Sequence, residues 1–363
     1  MRMRVTLVTQ ASELNGSAYF RALQFAPLLE RRGLEVVLSP AGVAQRRVHG
    51  RAGAGLLAAE HGLRYVRRAR ELGRLVAASD AVMVQRGSYP IGPPWLLRDL
   101  RRFPGRLVFD LDDAVFLPSP AMEGRGRIVP WIYKDRQALT LLERADTVIV
   151  STPELDASLP GRRADVILPT IPNVAAYPLA RHDREPPLRL GWIGSSGNVR
   201  YLDPLASVLG RLERAGVARL QVISSAPWWG PSSFRRWERA QEQIAVADLE
   251  VGLMPLPDDP YTRAKAGFKL LQYMAAGCAV IASPVGVSRR LVEESGAGLL
   301  ASAPAEWEQA VRALASDPAA RAAHGANGRR FVREFANLCK HADVLAAALR
   351  GSALPQSSAW PSA

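Results

Sequence analysis

Short apolar runs alternate with longer amphipathic stretches along almost all of this 363-residue chain, and they do so in two series. The first series has strand-like runs at Arg4–Thr9, Glu35–Leu38, Ala81–Val84, Leu107–Phe109, Thr147–Val150 and Val166–Leu168. Helical patterns lie between them at Phe20–Arg31, Arg64–Ala78 and Ile132–Ala145. Such alternation produces parallel β/α units. It pauses at Tyr177–Leu188, a polar stretch with three prolines that reads as a linker. A second series follows at Arg189–Ile193, Leu220–Ser224, Leu249–Met254, Ala279–Ala282 and Gly298–Leu300. The expected fold class is therefore α/β, with two doubly wound domains. The boundaries are a first domain over 1–180, a linker over 181–188, a second domain over 189–335, a C-terminal helix over 336–350 and a disordered tail over 351–363. In doubly wound sheets ligands bind beyond the carboxyl ends of the strands, where the strand order reverses. With two domains facing each other, the cleft is the expected site.

Composition narrows the chemistry. Cys278 and Cys339 are the only cysteines and match no zinc or redox spacing, so a reducing, cytoplasmic setting is expected. The N-terminus enters a strand pattern directly, without the charged and apolar regions of a signal peptide, and no apolar run approaches the length of a membrane span. The net charge is +13, and 43 of the 47 basic residues are arginine. A field of this sign favours anionic partners: nucleoside diphosphates, phospholipid surfaces or nucleic acid. A solvated, arginine-rich surface explains the same charge.

Four stretches carry groups suited to chemistry. Gly16 and Ser17 follow the first strand, with Ser17 able to cap a helix whose first turn would hold Arg21 near a ligand. An ordinary strand-to-helix turn has the same composition. Asp110, Asp112 and Asp113 end a buried strand. Alternation places Asp110 and Asp112 on one side and Asp113 on the other. They could form a metal site, a general base or contacts to sugar hydroxyls, or act as salt-bridged capping acids. Gly191–Asn198 is glycine- and serine-rich but lacks the dinucleotide fingerprint and its following acid, which leaves a phosphate or sugar as its partner. Finally, Arg263, Lys265 and Lys269 bracket Gly267 at the start of a helix over Phe268–Ala276, an anion site by both dipole and point charge. One turn in, Gln272 is placed to hydrogen-bond a ribose diol.

These last stretches resemble the bacterial glycosyl transferases group 1, retaining sugar-nucleotide enzymes with the GT-B fold of two facing Rossmann-like domains. The resemblance rests on Asp248, Gly252–Leu256, Lys265, Lys269–Gly277 and Val280–Gly286, with Gly191–Ser195 similar to the first loop of the C-terminal domain and Val108–Ala114 to a strand end of the N-terminal one. It implies a C-terminal helix that returns toward the N-terminal domain. It also implies a sugar transferred from a nucleoside diphosphate to a glycan, lipid-linked or small-molecule acceptor. On that basis the diphosphate is expected at Gly194, Ser195, Asn198, Arg200, Arg263, Lys265, Gly267, Phe268 and Lys269, and the ribose at Gln272. Asp112 and Asp113 are the expected catalytic residues, and Gly16, Ser17 and Arg21 lie on the acceptor or donor-sugar side. No metal and no cofactor are expected, the nucleotide sugar being a substrate. The chain departs from the family in three places. The first of two family glutamates falls on Ala264 and the second on Gln272; the loop after the first strand of the C-terminal domain offers only Asn198 and Arg200 where many members have an arginine and a lysine; and Asp112 occupies the place of a histidine. Two alternatives follow: a non-catalytic nucleotide-sugar-binding protein, or a nucleic-acid-binding or base-glucosylating one. Nucleic acid is the weaker partner, because no basic motif is interleaved with aromatics. Arginines between Arg46 and Arg74 suggest peripheral contact with an anionic membrane at its inner face.

Overall fold

The computed structural model describes residues 2–12, 15–41, 64, 66–88, 97–117, 134–355 and 360. The chain forms two compact units: Met1–Thr170 with Leu338–Ala359, and Ile171–Asn337 with Trp360–Ala363. In the first unit, β1 (Met3–Thr9), β2 (Leu34–Pro40), β3 (Ala81–Gln85), β4 (Arg106–Leu111), β5 (Thr147–Val150) and β6 (Val166–Ile167) form a parallel sheet in the order β2-β1-β3-β4-β5-β6. The order reverses at β1, so the gap beyond the carboxyl ends of β1 and β3 is this unit's switch point.

The second unit holds β7 (Leu188–Ile193), β8 (Ala218–Ser224), β9 (Ser233–Arg236), β10 (Val251–Met254), β11 (Ala279–Ala282) and β12 (Gly298–Leu300), ordered β12-β11-β10-β7-β8-β9. Its switch point lies between β7 and β10. Five of these strands coincide with apolar runs in the sequence. The sixth, β9, was invisible there, because Ser-Phe-Arg-Arg at a sheet edge is mostly solvated and has no apolar run. One face of the sheet buries Leu190, Trp192 and Val222 against Leu202, Val208 and Leu209 and against Trp307 and Val311 of the helix Pro304–Ser316.

The helical stretches differ from expectation where the backbone must turn. Phe20–Arg31 is not one helix. α1 (Gly16–Arg21) is followed by a 3-10 turn and then α2 (Ala26–Arg31), with Pro27 in the first turn, where a missing N–H costs nothing. The long stretch after Pro318 divides into the helices Pro318–Phe335 and Leu338–Arg350. The second of these belongs to the first unit. Arg32 donates to Asp343 (2.6 Å) and to the Cys339 carbonyl, while Arg106 donates to the Ala348 carbonyl.

The units divide after Thr170, earlier than the expected boundary at residue 180, and the stretch read as a linker belongs to the second unit. Ala180 N–H donates to the Ala276 carbonyl, His182 bonds the Gly277 carbonyl, and Arg184 donates to the Asp248 carbonyl. Three prolines mark it as irregular backbone; its polar groups still find partners, as packed backbone must. In the tail expected to be disordered, Trp360 is buried against Phe335, with ring centroids 5.4 Å apart.

Of the arginines read as facing lipid, Arg46, Arg47 and Arg51 lie outside the described residues. Arg68 points inward, donating to the Ser39 hydroxyl and carbonyl and to the Ser88 carbonyl. No helix among the described residues is long and apolar enough to cross a membrane.

Gly252 tests the packing of the second sheet. A Cβ at this β10 position would enter the ring of Tyr273, which is fully buried and accepts a hydrogen bond from Ile193 N–H (3.0 Å). Gly252→Ala is expected to destabilise the protein by about 1–3 kcal/mol through overpacking. A thermal unfolding midpoint unchanged from wild type would show that the ring can move aside.

Candidate functional site

At the switch point of the second unit, β7 ends at Ile193 and the chain turns through Gly194 into a 3-10 helix, Ser196–Leu205, with Ser195 at its N-cap. Gly194 has no room for a side chain, because a Cβ there would strike the Trp192 ring and the aliphatic chain of Lys269. Lys269 thus crosses directly above the loop, its Nζ 5.6 Å from the Trp192 ring centroid. Asn198 N–H donates to the Ser195 carbonyl (2.9 Å), closing the loop, and Ser225 Oγ donates to Ser196 Oγ (3.1 Å). Arg200 lies over the ring of Tyr201, 5.6 Å from its centroid.

The facing segment follows β10. Asp259 caps the short helix Pro260–Arg263, accepting from Thr262 N–H (2.8 Å) while Thr262 Oγ1 accepts from Asp259 N–H. The chain then reaches Gly267, whose φ of +63° is accessible to glycine at little cost and starts the helix Phe268–Ala275 abruptly. Phe268 and Lys269 form its first turn, where N–H groups have no partner within the helix. Lys265, just before it, is 7% exposed, with Nζ 4.6 Å over the Tyr261 ring. The structure therefore brings Gly194, Ser195, Lys265, Gly267 and Lys269 into one neighbourhood of this unit.

Two expected residues are placed differently. Arg263 is exposed and forms a fork with Asp258 (3.0 Å), each holding the other charged: the arginine rises and the aspartate falls from its ordinary pKa. Gln272 is buried, and its amide donates to Glu242 Oε1 (2.9 Å) and Tyr177 Oη (3.1 Å), which occupies the hydrogens expected to meet a ribose. The cause is burial of the helix on all sides from Leu270 onward, so a polar side chain there must bond to protein. Glu242 also accepts from Trp237 Nε1 and Arg239, and burial lifts its carboxyl above the usual carboxylate range. Neither Tyr177 nor Glu242 stood out in the sequence; both lie in segments without an apolar period.

At the switch point of the first unit, Asn15 rather than Ser17 caps α1, its Oδ1 accepting from Ala18 N–H. This frees Ser17 Oγ to donate to Asp112 Oδ2 (2.6 Å). Gly16 opens the helix, and Arg21 falls in its last turn, not its first. Arg21 is fully buried in a fork with Asp110 and donates as well to the Leu168 carbonyl. A six-residue helix carries residue 21 past the strand ends and into the core, so Arg21 is an interior ion-pair partner instead of a ligand contact.

Asp112 and Asp113 do not diverge as alternation requires, because β4 ends at Leu111 and the chain bends. Both meet Arg86: Nε on Asp112, and Nη2 on Asp113 at 2.6 Å. Gln85 Nε2 donates to Asp112 Oδ1 and to Ser17 Oγ. Arg86 has φ of +62°, a conformation that costs a residue with a side chain about 1–2 kcal/mol, and the surrounding ion pairs hold it there. Nothing in the Gln85-Arg86-Gly87 sequence announced this, since the arginine meets its acids only through the pairing of β3 with β4.

Residues 234–317 match the family described as Glycosyl transferases group 1. No curated protein sequence matches the chain. Among solved structures, sucrose-phosphate synthase from Thermosynechococcus elongatus aligns with 96% of this chain and 99% of its own, at 14% identity and a TM-score of 0.69. HepE of Anabaena, in complex with UDP and glucose, aligns with 96% and 100%, at 14% identity and a TM-score of 0.64. WaaG, a glycosyltransferase involved in lipopolysaccharide biosynthesis, aligns over the same shares at 14% identity and a TM-score of 0.63. A segment of the second unit, residues 234–317, is thus similar to the glycosyl transferases group 1, and the chain as a whole has the GT-B fold.

Proposed function

We propose that this protein is a retaining glycosyltransferase that moves a sugar from a nucleoside diphosphate to a glycan or lipid-linked acceptor. The observation that carries the reading is the placement of Lys265 and Lys269 beside the Gly194 loop and the left-handed Gly267 turn, at the β7/β10 switch point. As the bond between the sugar and the diphosphate breaks, negative charge grows on the leaving phosphate. Preorganised cations and helix N–H groups stabilise that charge more than they stabilise the intact donor, which is the requirement for catalysis. UDP and glucose bound to HepE, and the lipopolysaccharide role of WaaG, support a sugar-nucleotide donor and a glycan acceptor. In the first unit, Asp113 is the acid offered to a sugar or acceptor hydroxyl, with Asp112 and Arg86 fixing its position.

A thermal-shift screen against UDP-, GDP-, ADP- and dTDP-sugars tests the reading; stabilisation by none of them would remove it. A second reading, a nucleotide-sugar-binding protein without turnover, is favoured by the buried Ala264 at the position of the first family glutamate. Donor hydrolysis separates the two, since a binder shows a thermal shift and releases no free sugar.

Metal dependence can be anticipated from the carboxylates. Asp110 is forked by Arg21, and Arg86 binds both Asp112 and Asp113, so these carboxylates are already engaged by guanidinium groups rather than open to a cation. Activity is expected to persist in EDTA. Complete loss on chelation, restored by Mn²⁺ or Mg²⁺, would overturn this assignment of roles.

A further inference from the structure

Trp229, on the loop that leads from β8 into β9, is 73% exposed, although a ring of this size gains more from burial than most side chains. The ring is also held in place. Its Nε1 donates to Asp203 Oδ1 (2.8 Å), and Nε1 of the buried Trp228 donates to the same oxygen (2.7 Å), with the two ring centroids 5.6 Å apart. With its one N–H engaged, Trp229 offers a partner only the faces of its ring. Asp203 is exposed as well, in the 3-10 helix Ser196–Leu205. Both indoles fall on Oδ1, so Oδ2 meets no donor among the described residues. Phe234 lies on the same side of the sheet. It pairs with Val222 of β8, and paired residues of neighbouring strands point the same way. Val222 shares a core cluster with Leu202 and Trp228. At the sheet edge Phe234 remains 40% exposed, and alternation puts the exposed Arg236 on that side too.

Size and charge select the occupant. Two aromatic side chains bury about 150–250 Å² each, short of the roughly 800 Å² per partner in a stable protein interface. A second copy paired edge to edge would also set Arg235 and Arg236 of both chains on one short strand pair, where like charges repel. An anionic bilayer would meet the Asp203 carboxylate. A saccharide has the matching chemistry. One face of its ring carries C–H groups that pack on an indole, and its hydroxyls can donate to a carboxylate or accept from a guanidinium. We propose that Trp229, Phe234 and Asp203 form a saccharide-binding surface, with the two rings as a stacking platform and Asp203 Oδ2 as the acceptor of a sugar hydroxyl. The pinned Trp229 ring loses little freedom on binding, which favours association. The surface stands independently of the diphosphate site, and its free carboxylate oxygen suits a neutral, hydroxyl-rich glycan.

The test titrates maltohexaose, cellohexaose, mannohexaose and chitohexaose into wild type, Trp229→Ala, Asp203→Asn and Lys269→Ala. Each protein is also melted without ligand, titrated with UDP, GDP, ADP and dTDP, and run by sedimentation velocity. At least one hexasaccharide is expected to bind wild type and Lys269→Ala alike. Trp229→Ala weakens that binding about tenfold, the loss expected for one stacked aromatic. Asp203→Asn keeps an amide oxygen for the indoles but loses the charged acceptor, and weakens it by about tenfold as well. Melting temperatures stay close to wild type, because the Trp229 ring is exposed. Binding of none of the four saccharides, or an affinity within twofold of wild type in either variant, would overturn the proposal. So would a loss of nucleoside diphosphate affinity in Trp229→Ala, which would assign the ring to a nucleobase, or a dimer that this variant dissociates, which would assign it to a second copy. A saccharide surface that fails while wild type still binds a diphosphate leaves the proposed reaction standing.

Discussion

Lys269→Ala is expected to weaken nucleoside diphosphate binding by about thirtyfold and to lower turnover, with little change in melting temperature. The side chain lies in the first turn of the helix Phe268–Ala275 and crosses the Gly194 loop, its charge over Trp192. A hydrogen bond from an ammonium to a phosphate contributes about 1.5–3 kcal/mol, and about 2 kcal/mol corresponds to a thirtyfold change in affinity. The position is not fully buried, and the cation–π contact that is lost contributes about 0.5–1 kcal/mol at such a site, so the fold survives. Turnover falls as well because phosphate charge is larger at the transition state than in the bound donor. Titration calorimetry with the best-binding diphosphate measures the first effect. An affinity within twofold of wild type would remove Lys269 from the site.

Arg21→Met has a larger effect, of a different kind: it is expected to destabilise the first unit by about 3–5 kcal/mol, the range seen when one partner of a buried ion pair is removed. Asp110 is wholly buried at the end of β4, and both its oxygens are bound by Arg21. Without the guanidinium, the carboxylate must either stay ionised in the core or take up a proton, and both are unfavourable there. For a unit of this size the fall in melting temperature is on the order of 10 °C. The double variant Arg21→Met, Asp110→Leu should recover much of the loss, because a packed apolar pair can replace a buried ionic one at little cost. A single variant melting within about 2 °C of wild type would contradict the structural role given to this pair. Recovery in the double variant with donor binding retained would separate that role from ligand contact, which was the expectation for Arg21 from its sequence position.

Most of the strands were legible in the chain because a buried parallel strand is an uninterrupted apolar run, and such runs survive without knowledge of their neighbours. The lysine-bearing helix start was legible for a similar reason: Gly267, Lys265 and Lys269 lie within five positions, so local geometry alone assembles them. The other groups depended on which strands pair. Arg86 meets Asp112 across 26 positions, and Arg21 meets Asp110 across 89. Only the order β1-β3-β4 places those side chains together. Gln272 shows the same limit from another side. Its spacing along a helix pointed to a ligand, yet the packing of Tyr177 and Glu242 around that helix assigned its amide to the interior. Periodicity along the sequence reports how often a residue faces apolar surroundings, so it determined the two doubly wound sheets and the helix Phe268–Ala275 that starts at Gly267. Which charges neutralise one another is set by distances between residues remote in sequence, and for Arg21, Arg86, the three aspartates and Gln272 only the tertiary structure decided it.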